Sequence, residues 1–285
     1  MVLQILTMTR KLLILTLLAI CSCTAQKDWE FADPELIVEG WIEDGGHPIV
    51  MVTSSVTPST EYRSMEDLQE YIMKWAKVSI SDSDTTVVLL GMPDKNYFPP
   101  YIFTTTWIKG EAGKTYNLKV EIKNRTATAT TTVTPPEPLA ELKAYPVEDS
   151  DSLYTIAVRL PNQSHKGKYY KIFTKIEGKE TTFRPAFPGS IDGNSLIDDA
   201  EISIVQGVSI EQRTHNALFK KGSTVHVRFC TMDTQSWQFW TGFDDVTVTE
   251  GSPFFPVYDN PVSNIAGGLG YWSGYGASYY SIELK

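Results

Sequence analysis

Tyr116-Asn117-Leu118-Lys119-Val120-Glu121-Ile122 decides the fold class. Tyr116, Leu118, Val120 and Ile122 point one way, and Asn117, Lys119 and Glu121 the other. This period of two belongs to a half-buried strand of an antiparallel sheet. Downstream, Asn124-Arg125 turns the chain into Thr126 to Val133. Upstream, strand patterns lie at Lys77 to Ser81, Thr85 to Leu90 and Tyr101 to Trp107. Leu36 to Ile42, Asp44-Gly45-Gly46 and Pro48 to Thr53 read as strand, turn and returning strand, a hairpin signal. The one helix expected in the first half starts at Ser64 as cap and runs from Met65 to about Trp75, with Leu68, Ile72 and Trp75 on one face.

Pro135-Pro136-Glu137-Pro138 interrupts this series, because prolines cannot donate to a sheet ladder. A domain boundary is placed there; a long loop within one domain is the alternative. Strand patterns resume at Leu153 to Leu160, Tyr169 to Ile176 and Thr224 to Cys230, with a polar, irregular middle from Pro185 to Asp199. Asp233 is placed to cap a short helix through Phe243. Beyond it the chain becomes an aromatic, glycine-rich tail. Short strands joined by turn residues favour sandwiches over a closed barrel. The expectation is an all-β chain of two immunoglobulin- or fibronectin-like β-sandwich domains, residues 35–134 and 139–285, joined by linker 135–138, with one short helix in each half.

The N-terminus carries an address. Arg10 and Lys11 precede the apolar run Leu12 to Ile20, and Ile20-Cys21-Ser22-Cys23 closes it, the grammar of a signal peptide spanning residues 1–22. The run is too short to cross a bilayer core of about 30 Å, which needs roughly 20 apolar residues. The pattern resembles the bacterial lipobox, in which the cysteine after the cut accepts diacylglycerol and later a further acyl chain such as palmitate. Ser22 suits the position before the cut and Ile20 does not, so Cys23 is the lipidation site and residues 23–34 form a tether. Met8-Thr9-Arg10-Lys11 offers an alternative start to Met1. Gln26-Lys27-Asp28-Trp29-Glu30 resembles the acidic signal that sends Bacteroidota lipoproteins to the outer face of the outer membrane; an ordinary polar tether is the other reading.

The 285 residues carry 25 Lys and Arg against 34 Asp and Glu, net −9. Arg10 and Lys11 leave with the signal peptide, so the mature chain carries −11 and shows no basic cluster of the kind that binds phosphate backbones; nucleic acid is not expected as a partner. Of three cysteines only Cys230 remains free, directly after the alternating Val225 to Phe229 run, so no intramolecular disulfide is available.

Leu36-Ile37-Val38-Glu39-Gly40-Trp41-Ile42, Trp75-Ala76-Lys77-Val78-Ser79-Ile80-Ser81-Asp82, Gly110-Glu111-Ala112-Gly113-Lys114-Thr115-Tyr116 and Ser263-Asn264-Ile265-Ala266-Gly267-Gly268-Leu269-Gly270 together resemble the Bacteroidota lipoproteins grouped as domain of unknown function 4249. The resemblance runs nearly end to end. It implies an outer-membrane, surface-facing lipoprotein working beside a TonB-dependent receptor, and it implies no catalytic residues.

The residues themselves name little chemistry. His47, His165, His215 and His226 lie far apart with no metal-ligand spacing, Asp192-Gly193-Asn194 lacks a full calcium pattern, and no Gly-x-Ser-x-Gly elbow occurs. Gly267-Gly268-Leu269-Gly270 lacks the Lys-Ser or Lys-Thr ending of a phosphate loop. Asp198-Asp199 and Asp244-Asp245 read as solvated turns before they read as a glycosidase pair. No cofactor or metal is expected. The leading function is a non-enzymatic accessory of a TonB-dependent transporter; a free-standing adhesive or glycan-binding lipoprotein is second and a hydrolase third. Because Ser273-Gly274-Tyr275-Gly276 has few bulky groups, Tyr271, Trp272 and Tyr275 are the aromatics of the tail best placed to be exposed and to contact the ligand or partner; core packing and cross-strand pairing is the other reading of these rings. Asp84-Thr85-Thr86 and Asp151-Ser152-Leu153 resemble a Bacteroidota O-glycosylation pattern, with Thr85 and Ser152 as attachment points.

Overall fold

The structure is a computed structural model; it describes residues 34–55, 67–197, 200–207, 217–249 and 261–285. Before the prolines come β1 (Leu36–Glu43), β2 (Ile49–Ser54), β3 (Lys77–Ser81), β4 (Thr86–Val88), β5 (Leu90–Pro93), β6 (Tyr101–Thr104), β7 (Thr115–Ile122) and β8 (Arg125–Thr132). After them come β9 (Glu141–Pro146), β10 (Leu153–Arg159), β11 (Tyr169–Ile176), β12 (Arg184–Asp192), β13 (Glu201–Ile204), β14 (Phe219–Lys220) and β15 (Thr224–Met232). Helix α1 (Thr234–Thr249) and the long β16 (Leu269–Glu283) complete the order.

The alternation at β7 behaves as its sequence demands: Tyr116, Leu118 and Val120 are buried while Asn117 and Lys119 face outward. β8 answers it with alanine inward and threonine outward, Ala127 and Ala129 opposite Val120 and Leu118. β4, β3, β7 and β8 form one four-stranded sheet; β9, β10, β13 and β14 form another. The third sheet has eight strands in the order β12-β11-β15-β16-β1-β2-β6-β5, and it backs both small sheets. One core lies between its β1, β2 and β6 and the sheet around β7, with Val38, Ile42, Val50, Phe103, Leu118 and Val120 among its members. A second lies between β11 and β15 and the sheet around β10, with Ile156, Val158, Ile172, Val225, Val227 and Phe229. The all-β, sandwich-like expectation holds, with the two sandwiches sharing one sheet.

β16 does the joining. It runs parallel to β1, with Ile37 opposite Leu269, and antiparallel to β15, with Val225 opposite Ile282. Its Trp272 is fully buried in the first core, where the indole N–H donates to the Tyr116 carbonyl at 3.0 Å. Tyr280, Ile282 and Leu284 pack against the second core. The proline segment crosses the same strand: a Cβ on Gly274 would lie 2.7 Å from the Thr132 carbonyl carbon, and one on Gly276 only 2.3 Å from the Thr134 carbonyl oxygen. The two glycines are notches that admit a strap, and the Thr231 hydroxyl, donating to the Pro135 carbonyl at 2.7 Å, holds it down.

Two expectations need correction, the first helix and the irregular middle. Among the described residues α1 is the only α-helix. The described part of the expected first helix is a 3-10 helix, Asp67–Tyr71, followed by a β-bridge from Ile72 to Thr53, and Trp75 is almost fully exposed. The apolar spacing of Ile72 serves the sheet instead, and Ser64 and Met65 lie outside the described residues. The supposedly irregular middle contains β12, paired to β11 through a register shift between Lys171 and Phe173; that irregularity, and Pro185 and Pro188 on an edge strand, hide the alternation. The glycine-rich tail is β16, the strand shared by both sandwiches. Residues 35–285 form one compact unit, in which the two cores change over at the prolines while the eight-stranded sheet runs on. The second expected helix is present and longer than expected: the Ser236 amide donates to Asp233 Oδ1 at 2.8 Å, the cap its sequence suggested.

Candidate functional site

The face of the eight-stranded sheet turned away from the small sheets carries the densest chemistry. Alternation puts Glu39, Trp41 and Glu43 of β1, Tyr271, Tyr275 and Tyr279 of β16, Arg228 and Cys230 of β15, and Lys171 and Phe173 of β11 on this side. α1 lies over part of it: Phe239 stacks at 4.6 Å on Tyr271, Trp240 meets Phe173 edge-on at 5.3 Å, and the Trp240 indole donates to the Tyr275 hydroxyl at 2.7 Å.

Two ion pairs are set into this aromatic layer. The Lys171 ammonium, wholly buried, donates to both oxygens of Asp244 at 2.7 and 3.0 Å and to the Ser190 hydroxyl at 3.1 Å. Asp244 also accepts from the Ser190 amide at 2.9 Å, so the pair ties α1 to β11 and β12. Burial pulls the lysine down to about 8 against the opposing pull of Asp244. The second pair joins Arg228 to Glu43 at 2.5 Å, and the Tyr279 hydroxyl donates to the other Glu43 oxygen. The guanidinium sits 4.2 Å from the Phe173 ring centre, 5.1 Å from Phe183 and 5.9 Å from Trp41. Burial opposes its charge, but Glu43 together with the groups of Cys230, Tyr279 and Tyr275 around it more than offsets burial, so the arginine stays protonated. Its Nε is buried with no hydrogen-bond partner.

Where α1 does not reach, this layer opens to solvent as an aromatic rim. Trp41 and Tyr97 pack at 6.1 Å, Phe183 packs against the exposed Tyr279 at 5.8 Å, and Lys175 lies 5.2 Å over Phe183. The loop holding Tyr97 is pinned to the loop holding Phe183 by the Thr181 hydroxyl, which donates to the Asn96 carbonyl at 2.9 Å. The result is a half-exposed ring of four aromatics around a buried Arg228–Glu43 floor. Such a surface offers flat apolar area with one fixed charge pair behind it.

Two concavities lie elsewhere. An open groove of about 630 Å³ runs over the outer face of the sheet around β7, lined by Ser79, Ser81, Asn117, Thr128, Thr130 and Gln235. A smaller one, about 310 Å³, is lined by His165, Asn194 and Ile197 among others; both His165 ring nitrogens are engaged, with the Tyr170 hydroxyl at 2.7 Å and the Pro161 carbonyl at 2.9 Å.

The family model described as Domain of unknown function (DUF4249) matches residues 26–281. The chain belongs to that family. Among curated proteins none matches it. The family description names no activity, so every role assigned within this DUF4249 chain rests on its own geometry.

Tyr271, Trp272 and Tyr275 are buried, against the expectation of exposure. The small residues between them receive the proline strap on one side and α1 covers Tyr271 and Tyr275 on the other, so these rings are packing residues and present no contact surface. Burial also drives both tyrosine hydroxyls above their ordinary range. Thr85 and Ser152 are exposed at turns, Thr85 held by its amide donating to Asp82 Oδ1 at 2.8 Å. Cys23, His215 and Asp198-Asp199 lie outside the described residues. Cys230 is buried and its thiol is pushed upward by burial, which keeps it unreactive. Among the described residues no group of three or more His, Cys, Asp or Glu could hold a metal ion, and no helix is long and apolar enough to cross a membrane. The sequence reading missed both ion pairs. Their signal was present as charges in strands otherwise built to be buried, Lys171 beside Lys175 within Tyr169–Ile176 and Arg228 within Thr224–Met232.

Proposed function

We propose that this DUF4249 protein is a non-enzymatic lipoprotein of the outer membrane, anchored through lipid on Cys23, that binds a TonB-dependent transporter through its aromatic rim. The rim carries the proposal: Trp41, Tyr97, Phe183 and Tyr279 are half-exposed or exposed, and buried contacts fix them in place before any partner arrives. Tryptophan and tyrosine are enriched at protein interfaces because they supply large area with few torsions to freeze. The family match beginning at residue 26, three residues past Cys23, agrees with a mature chain that starts at that cysteine. A non-enzymatic role is supported by the carboxylate of Asp244, which is committed to Lys171, and by the inert Cys230.

The test is a mild-detergent pull-down of the lipidated protein from its native outer membrane, run beside Tyr97→Ala and Phe183→Ala. A stoichiometric barrel that is lost with either substitution is the expected result. Recovery of the protein alone, from membranes in which other barrel complexes survive the detergent, overturns the transporter reading. The polar groove favours one alternative, a free-standing surface protein that holds a hydroxylated ligand such as a glycan against Asn117, Thr128 and Thr130.

A further inference from the structure

Trp75 is 93% exposed, in a fold that buries Trp272 completely. It stands in the turn between Ile72 and β3, flanked by the exposed Lys74 and Lys77. Its place in the fold is defined by the neighbouring pairing. The Met73 amide donates to the Val52 carbonyl at 2.9 Å, Val52 pairs with Val38, and the Ser55 amide donates to the Glu35 carbonyl at 2.8 Å. Trp75 therefore lies at the end of the β1–β2 hairpin where the chain enters the fold. The β7–β8 turn reaches the same end, because Lys77 pairs with Glu121 and Ile122 with Arg125, and it adds the exposed Lys123. Glu35, Asp67, Glu70 and Glu121 are the carboxylates of described residues near this end, and Glu121 pairs with Lys119 at 2.7 Å and with Lys77 at 3.7 Å. Against them stand Lys74, Lys77, Lys119, Lys123 and Arg125, so in a chain of net charge −9 the described residues of this end carry a small excess of cations.

We infer that Trp75, with Lys74, Lys77 and Lys123, is a membrane-docking tip that seats this end of the protein on an anionic lipid surface. The inference rests on the reading of Cys23 as the lipid anchor. From Cys23 to Pro34 a fully extended chain spans at most about 40 Å, so a bilayer holding that cysteine stays within reach of the end that carries Glu35. An indole suits the headgroup region, where its apolar ring is buried while its N–H stays wet, and lysines near an anionic surface add electrostatic attraction. Trp107, 87% exposed, is the natural control: it precedes Gly110, which bridges Asp44 at the opposite end of β1.

The experiment couples the mature chain, residues 23–285, through Cys23 to a maleimide-headgroup lipid; the buried Cys230 stays out of the reaction. Vesicles contain phosphatidylglycerol and phosphatidylcholine with brominated acyl chains, and the background carries Trp29→Phe to silence the tether. The expected result is quenched tryptophan fluorescence, most of it lost in Trp75→Ala, retained in Trp107→Ala, and weakened by Lys74→Glu/Lys77→Glu or by omitting phosphatidylglycerol. Equal quenching with and without Trp75, or no quenching at all, overturns the docking tip. Because the tether is chemical, that failure is separate from failure of native lipidation or of the transporter partnership, which the pull-down reads.

Discussion

Glu39 sits on β1 opposite Tyr271, where burial pushes its carboxyl above the ordinary 4.5. A carboxyl raised in the folded state binds its proton more tightly there than in the unfolded chain. Above the folded value the buried charge costs stability; as pH falls through that value toward 4.5 the cost disappears. Glu39→Gln is therefore expected to raise the melting temperature at pH 7, with a gain that shrinks to nothing in acid. Lys171 gives the opposite slope. With its value lowered to about 8 from 10.5, the folded chain holds fewer protons than the unfolded one between those limits, so this group makes stability rise with pH across that window. Lys171→Met should abolish that slope and, by stranding Asp244, cost about 3–5 kcal/mol in urea unfolding at pH 7; Lys171→Met/Asp244→Leu should recover most of it. Neither residue was legible as a site. Strand periodicity tells which side a charge faces, but which carboxylate meets it depends on how α1, distant in sequence, lies on the sheet.

At the scale of elements, the notches on β16 make the sharpest prediction. Gly276→Ala places a methyl against the Thr134 carbonyl and the Pro135–Pro136 backbone, so strap or strand must shift; a loss of about 1–3 kcal/mol is expected in thermal or urea unfolding. A neutral result would mean the strap is loose. β1, β7 and β8 were readable from clean alternation because each buries one face in a core, and β10, β11 and β15 were readable as apolar strand runs because much of both their faces is buried. β16 was not. Its residues serve three environments, with Trp272 in one core, Tyr271 and Tyr275 under α1, and Ile282 against the other core, and its glycines mimic a loop. The 3-10 turn was misread for the converse reason: Ile72 keeps a helical spacing from Leu68 while its backbone bridges Thr53.

For the whole molecule, the shared sheet means that the two sandwiches are not independent. The first core is incomplete without Ile265 and Trp272, which arrive from the far end of the chain. Calorimetry of the chain should therefore show one transition whose calorimetric and van't Hoff enthalpies agree; two resolved transitions would mean that the halves melt separately across the prolines. The sandwich class was legible because local alternation reports it. The sharing was not, since nothing in either half announces that Ile37 will pair with Leu269. That pairing has a consequence for biogenesis. Synthesis proceeds from the N-terminus, and the strand that closes both cores emerges only after every other strand of the two sandwiches. Until it does, the preceding chain lacks the centre of its largest sheet and exposes apolar strands that need a chaperone's cover. A nonsense codon anywhere before Leu269 should therefore yield a product that completes neither core and is fit only for proteolysis.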